Sequence, residues 1–177
     1  MAGQVGRLEM KVFRNDMKKL RYLHVDIMQE LQEVLPRIGA RLESTILRHM
    51  QAQDLKWEPL SEEYKKWKER HDYSTNTWIM TSSLQQAITS TVNKSKLMVF
   101  VGVHRTAGNH ELSNQPLYEI AFALEFGTRD LGGHIPERPL FQPSLEENKR
   151  SVETTVGIAV KKALKRFNER MSSTPNP

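Results

Sequence analysis

With 177 residues, no cysteine and a formal net charge of +5, the chain has room for one hydrophobic core that holds by packing alone, without disulfides or zinc-thiolate centres. No stretch approaches the roughly 18 consecutive apolar residues of a membrane span, and the opening Met-Ala-Gly-Gln-Val-Gly-Arg lacks a signal peptide's apolar centre, so cytosolic synthesis and no membrane partner are expected. A pI near 9.5 is compatible with nucleic acid or an acidic surface, but the cations are interleaved with acids, as on a solvated face with a mild basic bias.

In chain order, Leu8, Met10 and Val12 alternate with charged residues and predict a short strand, or a subunit arm, over 1–14. Asn15 or Asp16 then caps a long amphipathic helix whose apolar face carries Met17, Leu20, Leu23, His24, Ile27, Leu31 and Val34. Pro36 kinks this helix or begins a second one, in which Ile38, Leu42, Ile46 and His49 continue a similar face to about Gln53. Ser61 is placed to cap a short helix through Tyr64 and Trp67, with Glu62 and Glu63 at its positive end. After a polar turn, Trp78-Ile79-Met80 re-enters the core, and Thr81 or Ser82 caps a brief helix holding Leu84 and Ala87.

Residues 88–92 and 96–104 flank Asn93-Lys94-Ser95 and, being rich in β-branched side chains, read as a β-hairpin; 105–115 reads as a loop. From Tyr118 an apolar helix runs to Phe126 and stops at Gly127, where a left-handed C-cap is expected. Pro136 and Pro139 then bias Ile135 and Arg138 toward extended geometry. Pro143 or Ser144 begins the last helix, with Val152, Val156, Val160, Leu164 and Phe167 on one stripe, and 172–177 reads as a disordered tail. The expectation is a single α+β domain over 1–171: long N-terminal helices and a C-terminal helix packed on a small, mainly antiparallel sheet.

Catalytic patterns are missing from the sequence. The six histidines form no His-Glu-x-x-His pair, and the glycines at 127, 132 and 133 follow a helix instead of opening one, which fits no nucleotide fingerprint. No serine sits in a Gly-x-Ser-x-Gly elbow, and no thiol offers an alternative nucleophile. Glu119 and Glu125 are near neighbours, yet acids on a helix are commonplace, so neither catalytic residue, cofactor nor metal is assigned. Trp57, Trp67 and Trp78 read as anchors of the core or of an interface, the latter suiting Trp57. Lys161, Lys162, Lys165 and Arg166 form a basic cluster that is either a DNA contact or a helix end complementing its own dipole.

The order of motifs is more specific than any one of them: Trp57-x-Pro59-Leu60, Leu84 with Ile88, Val101-Gly102, Tyr118-x-x-Ala121, Glu125-Phe126-Gly127-Thr128 and Pro136-x-Arg138-Pro139. This series, over roughly residues 20–145, resembles the tail-completion, or virion morphogenesis, proteins that join heads to tails in long-tailed bacteriophages. Two departures are a Thr-Gly-x-Leu signal written here as Thr81-Ser82-Ser83-Leu84 and a terminal Phe-Leu pair reversed as Leu140-Phe141.

The resemblance implies a structural virion protein, not an enzyme. It would be assembled in the host cytoplasm as a homo-oligomeric ring, hexameric by family expectation, at the head-tail junction. Neighbours would be the connector or stopper and the tail terminator or tail tube, with DNA passing through the lumen without sequence-specific contact. Ring closure requires that one patch meet a different patch on the next copy, and Trp57, Glu125, Arg129, Ile135, Arg138 and Phe141 are the candidate interface residues. The competing reading is a basic DNA-binding accessory protein of phage assembly acting through Lys161 to Arg166; a third, a hydrolase assembled from distant acids and histidines, has no motif behind it.

Overall fold

The computed structural model describes residues 2–128 and 134–173, the side chains of 2–16 excepted. The elements run α1 (Ala2–Ala52), α2 (Glu62–Arg70), α3 (Ser83–Ala87), β1 (Ile88–Asn93), β2 (Met98–Val103), α4 (Leu117–Phe126) and α5 (Phe141–Ser172). They form two compact units, Met1–Leu35 with Ser151–Pro177, and Pro36–Arg150. The expected α+β class holds, with long terminal helices and one two-stranded antiparallel sheet.

Two expectations at the chain ends are corrected. The backbone of residues 2–14 is helical and continuous with α1, not a strand. Val5, Leu8 and Val12 stand at i, i+3 and i+7, a helical period that the local alternation around Met10 concealed. At the other end, Ser172 still belongs to α5 and Ser173 to a turn, while 174–177 lie outside the described residues. Pro36 sits inside α1 and begins the second unit.

That unit holds the core. Ile46 and Met50 of α1 pack with Trp78, Leu84, Ile88, Leu117, Ala121 and Leu140, and Met50 and Leu140 are fully enclosed. The hairpin pairs Ile88 with Val103 through Asn93 with Met98, and the Asn93 side chain accepts from the Lys96 N–H to shape the turn. α1 passes close over it: a Cβ at Gly39 would lie 3.1 Å from side-chain atoms of both Ser90 and Val99. At α2 the cap is as expected, with Ser61 Oγ accepting from the Tyr64 N–H at 3.2 Å. α5 starts at Phe141, before the expected Pro143, because a side chain described below satisfies its first amides. Pro143 remains in the first turn, where a missing N–H costs nothing.

In the other unit, α1 and α5 run antiparallel, since Asp26 meets Arg170 while Glu30 meets Arg166 and Lys162. Asp26 and Glu30 are almost fully buried there. The buried Ala159 and Ala163 of α5 are small, which lets the helices approach and the long basic stems cover the acids.

Gly127 ends α4 with φ 70° and ψ 171°, so the expected positive φ is present but the left-handed helical ψ is not. This backbone region is essentially reserved for glycine. A Cβ would also lie 2.8 Å from the Ile135 carbonyl oxygen, in the bridge where Thr128 and Ile135 exchange backbone hydrogen bonds. Gly127→Ala is therefore expected to destabilise the fold by about 1–3 kcal/mol in urea unfolding; a loss below ~0.5 kcal/mol would show that the bridge yields.

Candidate assembly interface

The motif residues that stand apart in sequence meet in one hydrogen-bonded knot. Buried Glu125 of α4 accepts from three consecutive backbone amides at the start of α5: Leu140 at 2.7 Å, Phe141 at 3.0 Å and Gln142 at 3.2 Å. A carboxylate at that position meets orphan N–H groups and the positive end of the helix dipole together. The Arg138 amide donates to the Leu124 carbonyl at 2.8 Å, fixing the extended segment against the end of α4. Two tryptophan indoles close the knot, Trp78 donating to the Arg138 carbonyl at 2.9 Å and Trp57 to the Pro139 carbonyl at 2.7 Å.

The Arg138 side chain points inward as well. Its Nε donates to the Glu58 carbonyl at 3.0 Å and Nη2 approaches the Pro59 carbonyl at 3.5 Å, and burial lowers the guanidinium pKa. Three of the expected interface residues, Trp57, Glu125 and Arg138, thus hold the fold together from inside. Phe141 joins them, half-buried and packed edge-on against Trp78 at 5.7 Å. Ile135 is exposed, and Arg129 lies outside the described residues.

The outward residue of the cluster is Phe126, the last residue of the apolar helix that stops at Gly127. Within α4, Leu117, Ala121 and Glu125 are buried at four-residue spacing. Phe122 and Phe126, one residue further on, are 63% and 60% exposed, and their rings lie tilted against each other with centroids 4.8 Å apart. The signal was legible: α4 is apolar nearly all round, more than one buried face needs. Glu125-Phe126-Gly127 therefore divides its work, with an acid turned in, an aromatic turned out and a glycine setting the direction of exit.

The basic cluster is largely spent on internal pairs. Lys162 reaches Glu30 at 2.8 Å and Glu33 at 3.7 Å, and the Glu30 hydrogen bond raises its pKa. Arg166 pairs with the other Glu30 oxygen, Lys165 lies 3.8 Å from Glu169, and Lys161 is exposed. Among the described residues no group of three or more His, Asp or Glu is arranged to hold a metal. No helix of these residues is long and apolar enough to cross a membrane. His49, buried, sits between Asp54 at 2.5 Å and Glu147 at 3.0 Å, and its hydrogen bond holds the Asp54 carboxyl below its usual range. Arg48 also contacts Glu147 at 2.7 Å, which makes the group a brace between the end of α1 and the start of α5.

One buried cation has a chemistry of its own. Lys68 of α2 donates to the carbonyls of Asn76 at 3.0 Å and Ile79 at 2.7 Å, and its ammonium lies 5.7 Å from the Tyr64 ring centroid. Desolvation lowers its pKa from 10.5 to about 8.

No protein-family profile matches the chain, and no solved structure matches it. The uncharacterized protein MJ0331 of Methanocaldococcus jannaschii is 27% identical over 139 residues, an overlap covering 73% of this chain and 87% of that protein.

One measurement checks the knot and a second checks Lys68. Glu125→Ala should cost about 2–4 kcal/mol in chemical denaturation, since three amides lose a charged acceptor; a cost under ~1 kcal/mol would mean that water replaces it. For Lys68, the unfolded chain holds a proton between pH 8 and 10.5 that the folded chain has released, so stability rises with pH across that window. The neutral amine keeps both carbonyl bonds. Lys68→Met should flatten that rise by roughly 1–3 kcal/mol, and an unchanged slope would assign it to other groups.

Proposed function

We propose that this protein is a structural subunit of a tailed-phage virion, acting at the head-tail junction as part of a homo-oligomeric ring that completes the tail and joins it to the filled capsid. The observation that carries the reading is the exposed Phe122–Phe126 pair, held on a helix whose other face is locked by Glu125. A rigid aromatic patch offers large contact area at low entropic cost, the property of an assembly contact. Support also comes from the ordered motifs: Trp57-x-Pro59, Glu125-Phe126-Gly127 and Pro136-x-Arg138-Pro139 meet in one hydrogen-bonded unit that leaves Phe126 and Ile135 exposed.

In this reading Phe122, Phe126 and Ile135 contact the next copy in a ring, with six copies expected. The connector or stopper lies on one side, and the tail terminator or tube on the other. Its work is done by interface energy, with no bond made or broken and no cofactor. The DNA-binding alternative has less behind it, because Lys162 and Arg166 are answered by Glu30 inside their own unit.

Phe126→Ser tests the proposal. Because the ring is exposed, unfolding should shift by no more than about 0.5 kcal/mol, while mass measurement should show loss of the ring. Micrographs of infected-cell lysates should then show filled heads and free tails unjoined. Joined, infectious particles at wild-type yield would overturn the role.

A further inference from the structure

Within the core unit, four ionisable side chains close into a ring where the end of α1 meets the start of α5. Arg48 Nη1 donates to Asp54 Oδ2 at 3.1 Å, and Asp54 Oδ1 lies 2.5 Å from His49 Nδ1. His49 Nε2 lies 3.0 Å from Glu147 Oε2, and Glu147 Oε1 accepts from Arg48 Nη2 at 2.7 Å. The charged groups facing the imidazole are therefore Arg48 from α1, Asp54 from the segment after it and Glu147 from α5. Those three are exposed, whereas the His49 side chain is only 5% exposed.

The hydrogen count decides which form of His49 fits. An ionised carboxylate only accepts, so each contact between a ring nitrogen and a carboxylate oxygen takes its hydrogen from the nitrogen. A neutral imidazole carries one such hydrogen and has two such contacts to serve. Whichever nitrogen kept it, the other would turn a lone pair toward a carboxylate oxygen no more than 3.0 Å away, in a buried site. Arg48 does not remove the conflict. Its Nη2 lies 3.2 Å from His49 Nε2, but it also reaches both Glu147 oxygens at 2.7 Å, where its two hydrogens meet negative charge. With both ring nitrogens protonated, the four links of the ring each join a donor to an acceptor, and its two cations balance its two anions.

We infer that His49 is held as the imidazolium and that the ring is a pH-operated latch on the seam between α1 and α5, closed while the proton is present and released when it leaves. The seam it holds is buried on either side of it. Met50, next to His49, is fully enclosed, and Asn148, next to Glu147, donates to Thr45 of α1 at 2.9 Å. On the acid side the latch stays closed, because the His49 hydrogen bond keeps the Asp54 carboxyl ionised below its usual range. On the alkaline side, loss of the proton leaves a net negative ring with a lone pair against one carboxylate.

The sign of the pH dependence follows. An unfolded histidine releases its proton around about pH 6.5, while the folded chain keeps it, so stability falls as pH rises from there until the folded ring gives the proton up. Lys68 acts in the opposite sense and at higher pH. The inference is independent of the proposed head-tail role, which rests on α4.

Nitrogen-15 NMR of the full-length protein at pH 7.5, where an ordinary histidine is about nine-tenths neutral, reads the ring directly. Both nitrogens of His49 should show the protonated imidazolium signature. In Glu147→Gln, whose amide can offer Nε2 a hydrogen, one nitrogen should be deprotonated at the same pH. Urea unfolding at pH 6 and pH 8 gives the second reading. Over that interval the wild-type folding constant should fall at least tenfold more than that of Glu147→Gln, a comparison in which Lys68, common to both, cancels. A single ring hydrogen on wild-type His49 at pH 7.5 would overturn the inference, as would equal pH dependence of the two proteins.

Discussion

The Glu125 carboxylate at the first turn of α5 is the contact on which the core unit turns. Its oxygens take three amides that no residue of α5 can satisfy, and its charge lies at the favourable end of that helix. One side chain thereby fixes where α5 starts and how α4 is rotated about its axis. With Glu125 pointing in, the four-residue period puts Leu117 and Ala121 into the core and leaves Phe122 and Phe126 outside. Exposure of the aromatic pair is a geometric consequence of the cap.

Charge is handled differently in the two units. In the core unit, Arg138 and Lys68 are buried cations bonded to backbone carbonyls, of Glu58 and Pro59 in one case and of Asn76 and Ile79 in the other. Carbonyls of an irregular segment need donors, and a buried cation needs acceptors, so each cation pins a stretch of chain without secondary structure of its own. In the two-helix unit, opposite charges meet directly as Asp26 with Arg170 and Glu30 with Arg166 and Lys162. Removing the cation of such a pair strands a buried carboxylate and destabilises the unit.

Much of the fold was legible because it rests on local signals. The hairpin, the Ser61 cap, the stop at Gly127 and the brief helix around Leu84 each follow from residues within a few positions. What stayed hidden depended on partners far along the chain. Arg138 read as an outward charge because its acceptors lie 80 and 79 residues away and are backbone atoms, which no composition or motif records. Glu125 read as an interface acid for the same reason, its donors being amides 15 to 17 residues on. The basic cluster read as either a DNA contact or a helix end complementing its own dipole, and neither reading included Glu30, its main countercharge, which is more than 130 positions earlier on α1.

The motif series that looked like a recognition surface is thus mostly a folding device, and that changes what its residue types mean. Trp57, Glu125, Arg138 and Pro139 constrain one another, so a substitution at any of them acts first on the fold. In the proposed assembly, contacts to other molecules fall to residues that the knot orients but does not use, Phe122 and Phe126 foremost. An exposed aromatic on a braced helix loses little freedom when it is covered, whereas one on a loose loop must first be ordered. In the proposed assembly, the interior hydrogen bonds of Glu125 and Arg138 would contribute without touching a partner, by holding the Phe122 and Phe126 rings in place beforehand.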